Sequence, residues 1–476
     1  MQFLALYLLI ALCFAGTSTN SNSEDEKRRP NVIFILADDL GYGELGCYGQ
    51  TKIRTPNIDA LAAGGMRFTQ AYAGAPVCAP SRCVLITGRH SANAEIRGNK
   101  RARPEGQHPI SAEVPTVAHL MRDAGYATGA MGKWGLGPVA STGDPNDKGF
   151  DLFFGYNCQR EAHSYYPDHL WRNRERIELN GGKAIPGHGK LGEGDEDYER
   201  FFGEDYAPEF MLAEALGFIR EHEDEPFFLY LPFVEPHVAM QPPTEWVEQY
   251  PEEWDQVPYR GGRGYTPHRR PHAGYAAMIS DLDEHVGAVV GLVDKLGLAE
   301  DTLIVFTSDN GSTHDVGGVD TEFFDSVGPL RGRKGSVYEG GLRVPMIARW
   351  PGTVDAGSST DHQTCFQDLM ATMAELTDSP SPAECDGKSY LPTLTGEGTQ
   401  EAHEYLVWEF NGYQGQKAVR MGDWKAVQQR IHRGNTEIEL YDLASDLGEE
   451  RDIAAEHPEI VARAREIFAD DRTANE

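Results

Sequence analysis

Short apolar runs that stop at charged residues constrain this chain more than any other feature. Asn31–Leu36 (Asn-Val-Ile-Phe-Ile-Leu), Pro226–Leu231 (Pro-Phe-Phe-Leu-Tyr-Leu) and Thr302–Phe306 (Thr-Leu-Ile-Val-Phe) are rich in β-branched and aromatic residues. They read as buried strands of a mostly parallel sheet, with Gly125–Ala130 a weaker member. Helical patterns lie between them. Thr55-Pro56 caps Asn57–Ala63, and Val117–Ala124, Pro208–Glu223 and Ala273–Leu296 follow. In the last, Ile279, Leu282, Val286, Val289, Val293 and Leu296 repeat at helical spacing and define one buried face. Such alternation predicts an α/β fold with helices on both sheet faces. After about residue 400 the runs become short strands separated by turns: Tyr405–Phe410, Lys417–Arg420, Trp424–Val427 and Ile438–Tyr441. A helical stretch, Pro458–Phe468, closes the chain, so a small antiparallel sheet with one helix is expected there.

The balance of charge excludes some partners. With 43 Lys+Arg against 74 Asp+Glu, the net charge of -31 argues against nucleic acid, which requires clustered cations. An anionic substrate must be drawn in by a local basic pocket. Phe3–Ala15 is apolar but too short to span a bilayer, and small residues follow it. We read residues 1–16 as a signal peptide and 17–29 as a disordered spacer. That implies an exported, periplasmic or extracellular protein with no transmembrane segment. Setting Cys13 aside with the signal leaves Cys47, Cys78, Cys83, Cys158, Cys365 and Cys385, too few for a disulfide scaffold. Cys365 and Cys385 are candidates for a bridge.

The strand ends carry the chemistry. The first run stops at Asp38-Asp39 and the Thr302 run at Asp309-Asn310. In open parallel sheets ligands sit beyond the carboxyl ends of the strands. Three carboxylates and an amide oxygen suit calcium or magnesium, and the lack of His or Cys beside them disfavours zinc. Pro226–Leu231 leads to Glu235-Pro236-His237, Gly125–Ala130 leads to Lys133-Trp134, and Lys334 lies in a Gly-rich basic loop. Together they would hold a small tetrahedral anion. Cys78 precedes Ala-Pro-Ser-Arg82 at a helix start, where Pro80 is tolerated and the positive helix terminus faces the thiol.

The run Cys78-Ala-Pro-Ser-Arg82, continued to Thr87-Gly-Arg89, resembles the signature of formylglycine-dependent (type I) sulfatases. The resemblance extends from Pro30 to about Ala455 through Asn31–Leu40, Gly132-Lys-Trp134, Ser308-Asp-Asn-Gly311 and Glu439–Leu443. It implies an alkaline-phosphatase-like α/β/α sandwich with a catalytic part, residues 30–400, and a C-terminal subdomain, residues 401–476. It further implies that Cys78 becomes formylglycine through a formylglycine-generating or anaerobic sulfatase-maturating enzyme. Asp38, Asp39, Asp309 and Asn310 would hold one calcium ion with an oxygen of modified Cys78. Arg82 would support the aldehyde hydrate, Lys133 and Lys334 the sulfate, and His237 the leaving oxygen as general acid. Many members have His two residues after the lysine; here Gly135 stands there, which leaves the base unassigned.

The substrate is read from two polar loops. Gly155–Asn173 carries His163, Tyr165, Tyr166, Asp168, His169, Trp171 and Arg172. The other carries Arg260, Arg263, His268, Arg269, Arg270 and His272. Aromatics interleaved with hydrogen-bonding groups suit a sugar, and the first loop resembles bacterial sulfatases acting on sulfated galactans or related glycans. Arg97, His163, Asp168, His169, Arg172 and His314 are the expected substrate contacts. The alternatives are a phosphate or phosphonate ester hydrolase of the same superfamily and a catalytically impaired glycan-binding protein.

Overall fold

The computed structural model describes residues 29–103 and 105–470. The signal segment and nearly all of the spacer lie outside the described residues. Each expected strand forms: β1 (Asn31–Ala37), β3 (Ala127–Lys133), β7 (Phe227–Pro232) and β8 (Thr302–Ser308). They are joined by β2 (Met66–Tyr72), β4 (Leu152–Tyr156), β5 (His169–Arg172), β6 (Glu175–Glu178), β9 (Arg343–Arg349), β10 (Ser358–Thr360) and β11 (Thr364–Cys365). The resulting 11-stranded sheet runs β10-β2-β9-β8-β1-β7-β3-β4-β5-β6, with β11 also on β2. β1 is parallel to both β7 and β8, and β3 is parallel to β7 and β4.

Alternation along β1 explains why both faces are covered. Ile33 and Ile35 join one core with helices Pro56–Ala63, Ala207–Glu221 and Pro271–Lys295. Val32, Phe34 and Leu36 join the other with helices Cys78–Thr87, Val117–Asp123 and Asp368–Leu376. Successive side chains of a strand point to opposite faces, so an unbroken apolar run requires cover on each.

None of the other seven strands was anticipated, and β2, β4 and β9 are the longest of them. Their runs mix polar residues or glycine with apolar ones, so pairing with neighbours, more than composition, makes them strands. The stretch Gly155–Asn173 is less of a loop than expected, because His169–Arg172 pairs with β4 and turns back into β6. Cys365 and Cys385 are both free thiols.

A second sheet of four antiparallel strands comprises β12 (Leu406–Phe410), β13 (Gln416–Met421), β14 (Trp424–Gln429) and β15 (Glu439–Asp442). One face, through Trp408, Phe410, Ala418 and Val427, packs on Tyr72, Val77, Val337 and Leu342. Its other face, through Val407, Val419, Ala426 and Leu440, is covered by Ala464, Ile467 and Phe468 of helix Pro458–Asp470. No helix among the described residues is long and apolar enough to cross a membrane.

Candidate active site

Four neighbouring strands end at one sheet edge, and the register decides which side chains meet there. Ala37 is opposite Ser308, so Asp38-Asp39 emerges beside Asp309-Asn310, and the Asp309 backbone N–H donates to the Ala37 carbonyl at 2.9 Å. On the other flank the Asp38 N–H donates to the Glu235 carbonyl at 3.0 Å, which brings the Glu235–His237 segment alongside. Asp39 takes a left-handed backbone, φ 68°, so that its N–H donates to Asp309 Oδ1 at 3.1 Å. An αL aspartate is a strained position that its side-chain partners over-determine.

Helix Cys78–Thr87 points its first residue at this edge. Cys78 is 1% exposed, with Sγ 3.3 Å from Asp38 Oδ1, 3.8 Å from Asp39 Oδ1 and 3.5 Å from Lys334 Nζ. Arg82, one turn on, donates through Nε to Asp309 Oδ2 at 2.9 Å and lies 3.4 Å from Asp38. Lys133 at the end of β3 pairs with Asp38 Oδ2, and Lys334 Nζ lies 2.6 Å from Asp39 Oδ2. Every expected nucleophile, metal and sulfate position therefore converges, drawn from segments far apart in sequence.

Burial sets the electrostatics. Burial alone would raise Asp38, but Lys133, His237, Arg82 and Lys334 hold its carboxyl well below the usual range. Asp309 is pushed up to about 7 by burial and by the Asp38 charge, against the pull of Arg82. Burial and Asp38 keep the Cys78 thiol well above its ordinary value. A hard cation fits the donor set. Asn310 is fully buried; its Nδ2 donates to Asp39 Oδ1 at 2.8 Å, while its Oδ1 accepts from no group. Ligand atoms of Asp38, Asp39, Cys78 and His237 all lie within 4.8 Å of one another. An unengaged amide oxygen beside crowded carboxylates is the chemistry of an oxygen-coordinated divalent ion.

His237 is buried, and its Nδ1 donates to the Val238 carbonyl at 2.5 Å. Nε2 is thus the atom facing the cluster, 3.6 Å from Asp39 Oδ2. Burial, Lys334 and Lys133 push its pKa well below the ordinary value, so the ring is neutral with its lone pair on Nε2. Behind it stands a clamp that the sequence reading missed. His285 Nδ1 is 3.0 Å from Glu235 Oε1, and Tyr206 donates to Asp281 Oδ2 at 2.7 Å. The available signal was a charged pair, Asp281 and His285, four residues apart on an otherwise apolar helix face.

The rim is partly as expected. His163 stacks on His237 with ring centroids 4.9 Å apart, and its Nδ1 meets His188 Nε2 at 2.9 Å. His188 stacks in turn on Tyr265 at 4.7 Å. His188 and Tyr265 were not anticipated, because each sits among glycines with no periodic neighbours. From the second polar loop the aromatic ring, not the arginines, reaches the site; Arg260 and Arg269 bind Glu196 instead. Asp168 and His169 line a cleft of about 230 Å³ with Glu105, Trp171, His163 and His188. His169 is held there between Asp168, 2.7 Å, and Glu105, 3.0 Å. Arg172 reaches Glu214 and Arg97 reaches Glu409, both at 3.4 Å. His314 Nε2 lies 3.2 Å from the Tyr413 hydroxyl.

At Gly135, φ 80°, the space is taken by Gln159: a Cβ at residue 135 would lie 1.9 Å from its Nε2. The Gln159 and Asn157 side chains are buried with neither amide atom of either one paired.

Residues 30–379 match a family model described as sulfatase, and residues 333–469 match one described as N-sulphoglucosamine sulphohydrolase, C-terminal. The N-acetylgalactosamine-6-O-sulfatase of Bacteroides thetaiotaomicron is 30% identical, with 94% of each chain covered. Arylsulfatase A of Homo sapiens is 31% identical, covering 92% of this chain and 87% of its own. Among solved structures, Ps i-CgsB in complex with k-i-k-neocarrahexaose superposes with a TM-score of 0.77 at 26% identity, over 93% of each chain.

Proposed function

The chain belongs to the sulfatase family and hydrolyses sulfate esters, and on that premise we propose that its substrate is a sulfated glycan and that Cys78 is the nucleophile precursor. The observation that carries the second part is the convergence of Cys78 with three carboxylates, Asn310 and two lysines. Oxidised to formylglycine by a formylglycine-generating or anaerobic sulfatase-maturating enzyme, residue 78 would supply a hydrated aldehyde as the nucleophile toward sulfur. Asp38, Asp39, Asp309 and Asn310 would hold one calcium ion, which would supply positive charge to the sulfate.

With the carboxylates engaged, Lys133 and Lys334 are left to oppose the sulfate oxygens as charge moves toward the leaving group. Arg82, fixed by Asp309 and Asp38, orients the residue 78 side chain one helical turn away. His237 delivers a proton to the departing alkoxide from Nε2, since Nδ1 is committed to Val238. Burial and the two lysines hold that ring neutral, so Nε2 first takes a proton from solvent, which the entering sulfate's negative charge favours.

A glycan is favoured by the cleft beside His237. Trp171, His163 and His188 offer aromatic surface, and Glu105, Asp168 and Arg160 offer hydrogen bonds, the mixture a sugar ring requires. The names of the relatives, an N-acetylgalactosamine-6-O-sulfatase and a neocarrahexaose complex, support the same class. Export of the mature chain and its division near residue 400 belong to the same reading.

Three measurements test it. Peptide mass spectrometry across Cys78 should find formylglycine in active enzyme; an unmodified thiol at full activity sinks the nucleophile assignment. Turnover should be measured on N-acetylgalactosamine 6-sulfate, a sulfated neocarrahexaose and 4-nitrophenyl sulfate. Hydrolysis confined to the aryl ester would refute the glycan reading while leaving the sulfatase chemistry standing. Chelation should abolish turnover and calcium should restore it; full activity in chelator would remove the ion from the mechanism.

A further inference from the structure

Among the described residues the large hydrophobic side chains left exposed are Val257 and Tyr413. Tyr413 is 62% exposed and lies in the turn between β12 and β13 of the small sheet. The turn packs it against its neighbours. Tyr413 and Gln414 are successive left-handed residues, φ 48° and 78°, a conformation that side chains resist. The Tyr413 ring presses on Gly335 so closely that a Cβ there would fall 2.2 Å from it. Gln416 Nε2 donates to the Gly335 carbonyl at 2.7 Å, and Phe410 meets the tyrosine ring at 5.9 Å. Its hydroxyl lies 3.2 Å from His314 Nε2.

Position makes this exposure informative. Gly335 follows Lys334, whose Nζ is 3.5 Å from Cys78 Sγ, and the Gly335 N–H donates to the Pro76 carbonyl at 2.7 Å, two residues before Cys78. An aromatic ring left in water forgoes burial, and here backbone strain is added to that cost. The ring is nonetheless fixed one residue from the lysine that faces the nucleophile. We propose that Tyr413 is the platform against which the sugar ring bearing or adjoining the sulfate packs, its apolar C–H face on the tyrosine ring. The His163, His188 and Tyr265 wall stands on the His237 side of the same site, so the small sheet contributes its own recognition element. This rests on the glycan reading above.

A Cys78→Ala background allows binding without turnover. There, calorimetric titration with N-acetylgalactosamine 6-sulfate and with the sulfated neocarrahexaose should show Tyr413→Ala weakening the glycan that binds by about tenfold. Tyr413→Trp and Tyr413→Phe should retain most of the affinity, since each keeps a ring. Inorganic sulfate, which reaches Lys334 but has no ring, should lose at least about fivefold less affinity than the glycan does. Equal losses for sulfate and glycan would mean that Tyr413 acts only through Lys334 and would overturn the platform. So would glycan binding unchanged by Tyr413→Ala, with the glycan reading intact. If neither glycan binds the unaltered enzyme while 4-nitrophenyl sulfate is hydrolysed, the glycan reading falls and the platform falls with it.

Discussion

Two of the buried charge clusters among the described residues are built differently. At the sheet edge Asp38, Asp39 and Asp309 crowd around Cys78 with Arg82, Lys133 and Lys334. Between the two sheets Glu339 accepts from Tyr72 at 2.8 Å, Arg343 at 2.8 Å and Lys425 at 2.7 Å. Burial would raise Glu339, but Lys425 and Arg343 bring it below its ordinary value, whereas Asp309 is pushed up to about 7. Glu339 is saturated by donors; the sheet-edge carboxylates repel one another and leave Asn310 Oδ1 unengaged. The Glu339 charge is thus neutralised in place. At the sheet edge three carboxylates meet three cations, and what a ligand can complete is the amide oxygen that no donor engages.

Removing a member of each cluster should separate the two roles. Lys334→Ala should lower kcat by roughly 10²–10³, because a fixed charge opposite the transition state is lost, with only a small change in Tm. Comparable activity would place the sulfate elsewhere. Glu339→Gln should do the reverse, costing about 3–5 kcal/mol of stability by leaving Lys425 and Arg343 without their partner. Chemical denaturation reads that loss, and kcat per folded molecule should fall far less than in Lys334→Ala. A collapse of activity with stability unchanged would merge the two clusters into one.

The His285 clamp gives an intermediate effect. Burial disfavours its imidazolium, but Asp281 and Glu235 outweigh that and raise its pKa to about 9. A group raised on folding adds stability that is complete below its unfolded value, about 6.5, and is lost as pH rises through 9. Unfolding free energy should therefore decline across that window by up to about 3–4 kcal/mol, and the decline should flatten in His285→Gln. An unchanged slope would show that the clamp is neutral. The smallest effect is expected at Gly135→Ala, about 1–2 kcal/mol, from the left-handed φ and the collision with Gln159. Combining it with Gln159→Ala should recover the collision part; no recovery would mean that backbone strain is the whole cost.

Much of the site was legible because its residues lie at the ends of continuous apolar runs. Asp38-Asp39 and Asp309-Asn310 follow β1 and β8 directly, and Lys133 closes β3, so a parallel sheet puts them on one edge. His188, Tyr265 and Tyr413 were not legible. They stand in Gly-rich turns whose course depends on what they pack against. Asp168 and His169 were recognised as residues of interest, but their partner Glu105, some sixty positions earlier, was not. Strands β2, β4 and β9 escaped notice for a related reason, since their identity comes from neighbours supplied by distant segments.

The sequence by itself determined the α/β alternation, the oxygen-rich ligand pairs and the position of Cys78 at a helix start, because period and residue chemistry are local properties. Tertiary structure alone decided which nitrogen of His237 faces the sheet-edge carboxylates and that Gln159 fills the space above Gly135. It also decided that a tyrosine of the small sheet stands beside Lys334. Each of these depends on groups that the fold brings together, where distance and burial, not order along the chain, set the energy.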